Sequence, residues 1–101
     1  MNIFADFRAR IEKSIRELMK QGVIADGADL SRISVEPPRE ESHGDIATNA
    51  AMVLGKFSEL QPRDLAGKIA DLLSEDEEIA SIDIAGPGFI NLSLAPSVWQ
   101  G

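Results

Sequence analysis

The chain contains no cysteine, a single histidine and no long apolar run. Without cysteine it can form no disulfide, no thiolate metal site and no cysteine nucleophile, and this absence fits a reducing cytoplasm. No apolar stretch approaches the ~18 residues that a membrane span needs. The N-terminus alternates apolar with charged residues and lacks the apolar core of a signal peptide. These absences predict a cytoplasmic protein without a membrane partner.

Sequence motifs for catalysis are missing as well. The glycine-rich stretch Gly86-Pro87-Gly88 lacks the lysine and the following helix of a phosphate-binding loop. His43 lies near Glu41 and Asp45, a combination that could hold a metal ion or move a proton. One histidine among loop carboxylates is nevertheless a poor ligand set, so a structural or solvent-exposed role is favoured. The sequence therefore predicts no catalytic residue and no metal site.

Net charge is −7 over 101 residues, enough chain for one domain with a modest core. Nucleic-acid binders usually present a basic surface that neutralises phosphates, so this charge argues against generic affinity for RNA or DNA. The charge is unevenly distributed: residues 1–20 hold five basic and three acidic residues, whereas residues 71–83 hold six acidic residues and no basic one. A weak, shape-specific contact within a larger protein is compatible with this balance.

Apolar periodicity predicts three helices. Phe4, Phe7, Ile11, Ile15 and Leu18 recur at spacings of three and four, which indicates an amphipathic helix over 2–21. Asp45 is a suitable N-cap for a second helix over 46–58. Pro62 suits the first position of a third helix over 62–74.

Alternation of apolar and polar residues predicts strands at 32–36, ended by Pro37-Pro38, and in a hairpin over 80–94. Pro96 begins a segment typical of a further helix. Helices on one face of a small antiparallel sheet make a two-layer α+β domain. The acidic run 75–78 is expected to face solvent.

The hairpin has two different faces. Ile90, Leu92 and Leu94 alternate with Phe89 and Asn91, so the ring and the carboxamide share the face away from the aliphatic residues. A ring for stacking beside an amide that donates and accepts hydrogen bonds suits an unstacked nucleobase. The alternative is that Phe89 covers an apolar edge and Asn91 forms a local hydrogen bond.

Two motifs carry a family resemblance: IAGPGFINLSL at 84–94 and HGDIATNAAM at 43–52. Together they resemble the N-terminal additional domain of bacterial arginyl-tRNA synthetases, over nearly the whole chain. The resemblance implies a domain at 1–95 and, at 96–101, the start of a connection to a catalytic domain. It further implies that the domain contacts the corner of the tRNA near the D-loop, with Phe89 and Asn91 recognising a base there. The catalytic domain would join arginine to its tRNA with ATP and magnesium; this chain contains neither of the HIGH-like and KMSKS-like motifs of that domain.

Other interpretations remain open. Asn49 and the basic residues of the first helix could reach RNA, or could serve only the fold and the solvated surface. A protein–protein docking module is the second hypothesis, with helix 2–21 and the Trp99 segment meeting a partner; the acidic balance favours it. No constellation of residues supports a free-standing enzyme.

Overall fold

A computed structural model describes residues 2–38 and 44–100. The first helix, α1, covers Ile3–Lys20, as the periodicity predicts. It begins at Asn2, whose side-chain oxygen accepts hydrogen bonds from the backbone N–H groups of Phe4 and Ala5. Most of its apolar stripe is used within the domain: Phe7, Ile11, Ile15 and Leu18 are buried, and Phe4 is half-buried.

The described residues form a four-stranded antiparallel sheet with the order β1-β2-β4-β3. The strands are β1 (Val35–Glu36), β2 (Ile46–Thr48), β3 (Ile79–Ala85) and β4 (Phe89–Leu94). β4 is therefore an inner strand, paired with β2 on one side and with β3 on the other. The first strand is shorter than the predicted 32–36.

Three further helices complete the domain: α2 (Ala50–Leu54), α3 (Pro62–Leu73) and α4 (Pro96–Gln100). A short 3-10 helix over Gly55–Phe57 extends α2. α2 and α3 pack against β4, α3 also contacts β3, and α1 lies against α3. Helices thus cover one face of the sheet, which confirms the two-layer α+β class.

The predicted helix over 46–58 is wrong at its start. Residues 46–48 form β2 instead, and the helix begins only at Ala50. Asp45 is not its N-cap: the carboxylate accepts a hydrogen bond from the Leu94 N–H at 2.8 Å and so joins the start of β2 to the end of β4. The hydroxyl of Thr48 accepts a 3.2 Å hydrogen bond from the Ala50 N–H.

The hairpin is confirmed. Ala85 pairs with Phe89 across the turn at 86–88, and Ile90, Leu92 and Leu94 are buried beneath the helices. Gly88 has a φ of +146°, and a Cβ there would lie 3.2 Å from the carbonyl carbon and oxygen of Pro62. A side chain at this position would collide with the start of α3, so glycine allows the turn and the helix to approach closely.

The sequence predicts that the acidic segment faces solvent. In the structure, only part of it does. Arg10 forms ion pairs with Asp6 at 2.9 Å, Asp76 at 2.8 Å and Glu78 at 2.7 Å. Two residues of the acidic run are therefore bound to α1, while Glu75 and Glu77 remain exposed.

Candidate functional site

A concavity of about 540 Å³ lies on the face of the sheet opposite the helices. Phe89 lies at its edge with 43% of its surface exposed, the one large hydrophobic side chain exposed among residues 2–38 and 44–98. Its neighbour in the strand, Ile90, is fully buried on the other face. The walls combine residues of all four strands with the segments next to β1 and β2: Ser34, Glu36, Pro37, Pro38, Ala47, Thr48, Asn49, Ala85, Phe89 and Asn91.

Asn91 lies deeper in this concavity, with 7% of its surface exposed. It shares the outer face with Phe89, as the alternation predicts, but it is flanked by Ala47 on β2 and Asp83 on β3. Among the residues that the structure describes, its carboxamide has no hydrogen-bond partner. Asn91 is one of the residues that line the concavity, so its carboxamide faces that space. Its donor and acceptor are available to a ligand.

One row of cross-strand neighbours defines the electrostatics of the site. Glu36 pairs with Ala47, Ala47 with Asn91, and Asn91 with Asp83. Directly opposed residues of antiparallel strands point to the same face. The row therefore places one carboxylate on each side of the amide: Asp83 on the neighbouring strand, and Glu36 on the other side beyond Ala47. Neither Glu36 nor Asp83 forms an ion pair within the described residues. The row attracts hydrogen-bond donors and repels phosphate.

Sequence reasoning did not identify this row. The alternation in 32–36 predicts that Glu36 points outward. Its place in the same row as the amide depends on pairing with β2, for which the sequence predicts a helix. Ala47 matters for its small side chain, since it leaves open the space between Glu36 and Asn91.

The other candidate residues have structural roles or fall outside the description. The Asn49 oxygen accepts a hydrogen bond from the Ser34 N–H at 2.8 Å, and its nitrogen donates to the Arg32 carbonyl at 3.5 Å. Asn49 therefore holds the segment before β1 against the start of α2. His43 and Glu41 lie outside the described residues.

All three arginines of α1 form ion pairs with carboxylates. Glu12 lies 3.3 Å from Arg8 and 3.8 Å from Arg16. Burial lowers the pKa of Arg10, but its hydrogen bonds to Glu78, Asp6 and Asp76 raise that pKa more strongly, so the guanidinium stays charged and bound. The basic side of α1 thus has less free charge for phosphates than its composition indicates.

Two other concavities are less suited to a base. One of about 910 Å³ lies between α1 and the end of α3; charged side chains dominate its walls, and no aromatic ring lines it. One of about 610 Å³ contains Phe57, but the Lys56 ammonium lies 5.3 Å from the centre of that ring. The concavity at Phe89 is the one that combines an exposed ring with a free amide.

The resemblance assigns ATP and magnesium to a catalytic domain and not to this chain. Within 2–38 and 44–100, no group of three histidine, cysteine, aspartate or glutamate residues is arranged to hold a metal ion. The turn at Gly86 carries no lysine. We therefore assign no step through either group to this chain. Within the same residues, no helix is long and apolar enough to cross a membrane.

Comparison with known proteins identifies the family. The model of the arginyl-tRNA synthetase N-terminal domain matches residues 5–94. The chain belongs to this family. Both sequence motifs and the whole concavity lie inside the matched residues of this arginyl-tRNA synthetase N-terminal domain.

Curated relatives agree with this assignment. The chain is 58% identical over 100 residues to the arginine–tRNA ligases of Brucella ovis and Brucella suis, and 56% identical to that of Brucella anthropi. Each alignment covers 99% of this chain but 17% of the relative. The chain thus spans about a sixth of the length of the ligases that it resembles.

Proposed function

We propose that this domain binds the arginine-specific tRNA for an arginine–tRNA ligase and that the concavity at Phe89 receives an unstacked base of the D-loop. The observation that carries the proposal is the pairing of the exposed Phe89 ring with the open carboxamide of Asn91 in one concavity. The ring offers a stacking surface, and the amide can donate to and accept from a base edge. The volume of about 540 Å³ is in the range of small-ligand sites.

The proposed parent protein attaches arginine to its tRNA at the expense of ATP, in the cytoplasm. The names of the relatives support this role for the longer protein. The chemistry would belong to a catalytic domain, with residues 96–101 as the start of the connection to it, and the present chain would contribute recognition. The expected partners are thus the tRNA and that catalytic domain.

A protein–protein docking module is the less supported alternative. It would require α1 and the Trp99 segment to meet a partner, but Phe7, Ile11, Ile15 and Leu18 of α1 are buried in the core of this domain. The exposed Phe89 is on the opposite side of the sheet, where no helix covers it.

The test uses the full-length ligase that carries this domain. Phe89→Ala should raise the KM for tRNA by an amount equivalent to about 1–3 kcal/mol, because one base loses its stacking surface. Asn91→Ala should raise the same constant by removing hydrogen bonds to the base edge. The KM values for arginine and ATP should stay unchanged, since both ligands would bind elsewhere.

Two variants serve as controls. Phe89→Leu keeps an apolar side chain but removes the planar ring, and should behave like Phe89→Ala. Ser93→Ala alters the same face of β4 farther from the concavity, and should leave the KM for tRNA unchanged. If Phe89→Ala and Asn91→Ala both keep the wild-type KM with the fold intact by circular dichroism, the proposal fails and the docking module becomes the better account.

A further inference from the structure

Arg63 lies next to the concavity but is not one of the residues that line it. It is exposed in the first turn of α3, and its Nη1 donates a 2.7 Å hydrogen bond to the carbonyl oxygen of Gly86 in the hairpin turn. In contrast to Arg8, Arg10 and Arg16, it forms no ion pair with any carboxylate of the described residues, Asp64 included. Its other N–H groups are available for an anion.

The position of Arg63 relative to Phe89 is fixed by the fold. A Cβ at Gly86 would lie 3.9 Å from Cδ2 of Phe89, so the ring rests close to the residue that Arg63 contacts. The close approach of Gly88 to Pro62 holds the start of α3 against the same turn. The stacking ring and the guanidinium thus share one rigid support.

Charge determines where the phosphate of a bound nucleotide can lie. Glu36 lines the concavity and Asp83 flanks Asn91 on β3, so two carboxylates lie near its inner part. A base can enter there and donate hydrogen bonds, whereas its phosphate is repelled. At the hairpin-turn side of the concavity, Arg63 places a guanidinium that forms no ion pair within the described residues.

We propose that Arg63 binds a backbone phosphate of the nucleotide whose base stacks on Phe89. This inference rests on the proposed function and adds a phosphate contact to it. The base would point toward Asn91 and the phosphate toward the turn. Arg63 would therefore contribute affinity and orientation, while the choice of base would remain with the concavity.

The experiment measures the dissociation constant of the full-length ligase for arginine tRNA from about 50 to about 200 mM salt. Arg63→Gln should weaken binding about threefold to tenfold at low salt, and should lower the slope of log K against log salt by about 0.7–1, the value of one phosphate contact. The loss should be the same for tRNAs that differ in their D-loop bases, because a phosphate contact carries no sequence information.

Lys68→Gln is the matched control. Lys68 is exposed on the same helix and carries the same charge, but it lines the separate concavity at Phe57. It should leave the salt slope unchanged. Thermal unfolding of both variants shows whether the hydrogen bond to Gly86 matters for the fold.

Either of two results would overturn the inference: an unchanged salt slope in Arg63→Gln, or a loss of discrimination between D-loop bases, which would mean that Arg63 only braces the turn. Phe89→Ala distinguishes this failure from failure of the proposed function. If Phe89→Ala weakens binding and Arg63→Gln does not, the base site stands without the phosphate contact. If neither weakens binding, both proposals fail.

Discussion

Phe89 and Ile90 are adjacent in β4, yet they serve opposite sides of the sheet. Ile90 is fully buried beneath the helices, whereas Phe89 is 43% exposed and lines the concavity. Surface area that stays in contact with water contributes little to stability, so the ring of Phe89 is available for binding.

This difference predicts that the two truncations lower stability by very different amounts. Ile90→Ala should lower the free energy of unfolding by about 2–5 kcal/mol, because it leaves a cavity in the core. Phe89→Ala should lower it by less than about 1 kcal/mol, within the range of surface substitutions. Urea denaturation followed by circular dichroism measures both, and equal losses would contradict the assignment of the two faces.

The face of Asn91 could be predicted from the sequence, but its depth could not. Alternation along one strand determines which residues share a face. The burial of Asn91 depends on the strands to either side, and the strand that contributes Ala47 was predicted as helix. A residue on an inner strand is flanked on both sides, which the sequence of its own strand does not reveal.

At the scale of elements, β2 shows why the helical pattern of apolar residues over 46–58 led to a wrong prediction. Ile46, Ala50, Val53, Leu54 and Phe57 fit a helical stripe, and a three-residue strand is too short to show an alternation of its own. Pairing with both β1 and β4 determines its conformation. α1, α3 and the hairpin were predicted correctly, because each is long and has a clear period together with a cap or turn residue.

The contact between the hairpin turn and α3 predicts a destabilising glycine substitution. Gly88→Ala should lower the free energy of unfolding by about 1–3 kcal/mol, since Gly88 has a positive φ and a methyl group would approach the Pro62 carbonyl. It should also displace the support shared by Phe89 and Arg63, and so weaken tRNA binding.

Gly67→Ala in the same helix is the control. A Cβ there meets nothing within 4 Å, so alanine should stabilise the helix by about 0.5–1 kcal/mol. Thermal unfolding compares the two variants. A Gly88→Ala domain as stable as the wild type would show that the turn does not need its close approach to α3.

At the scale of the whole molecule, charge is arranged so that general attraction to RNA is small. The net charge is −7, and the arginines of α1 form ion pairs with carboxylates. Two of these carboxylates, Asp76 and Glu78, belong to the acidic segment before β3. Under the proposed function, affinity for a tRNA would then depend on one shaped site and on the contacts of the longer protein. The net charge alone predicts weak general attraction to RNA. It does not predict which basic side chains remain free of ion pairs, because ion pairs such as Arg10–Asp76 join residues far apart in the chain.

The central claim is that Asn91 reads a base of the tRNA, and a double-mutant cycle tests it most directly. Dissociation constants are measured for wild-type and Asn91→Ala ligase with arginine tRNAs that carry a single base change at each unpaired D-loop position. We predict that the base change at one position weakens binding to the wild type but not to Asn91→Ala, with a coupling energy above about 0.5 kcal/mol, while the other positions are additive. Additive losses at every position would contradict the claim.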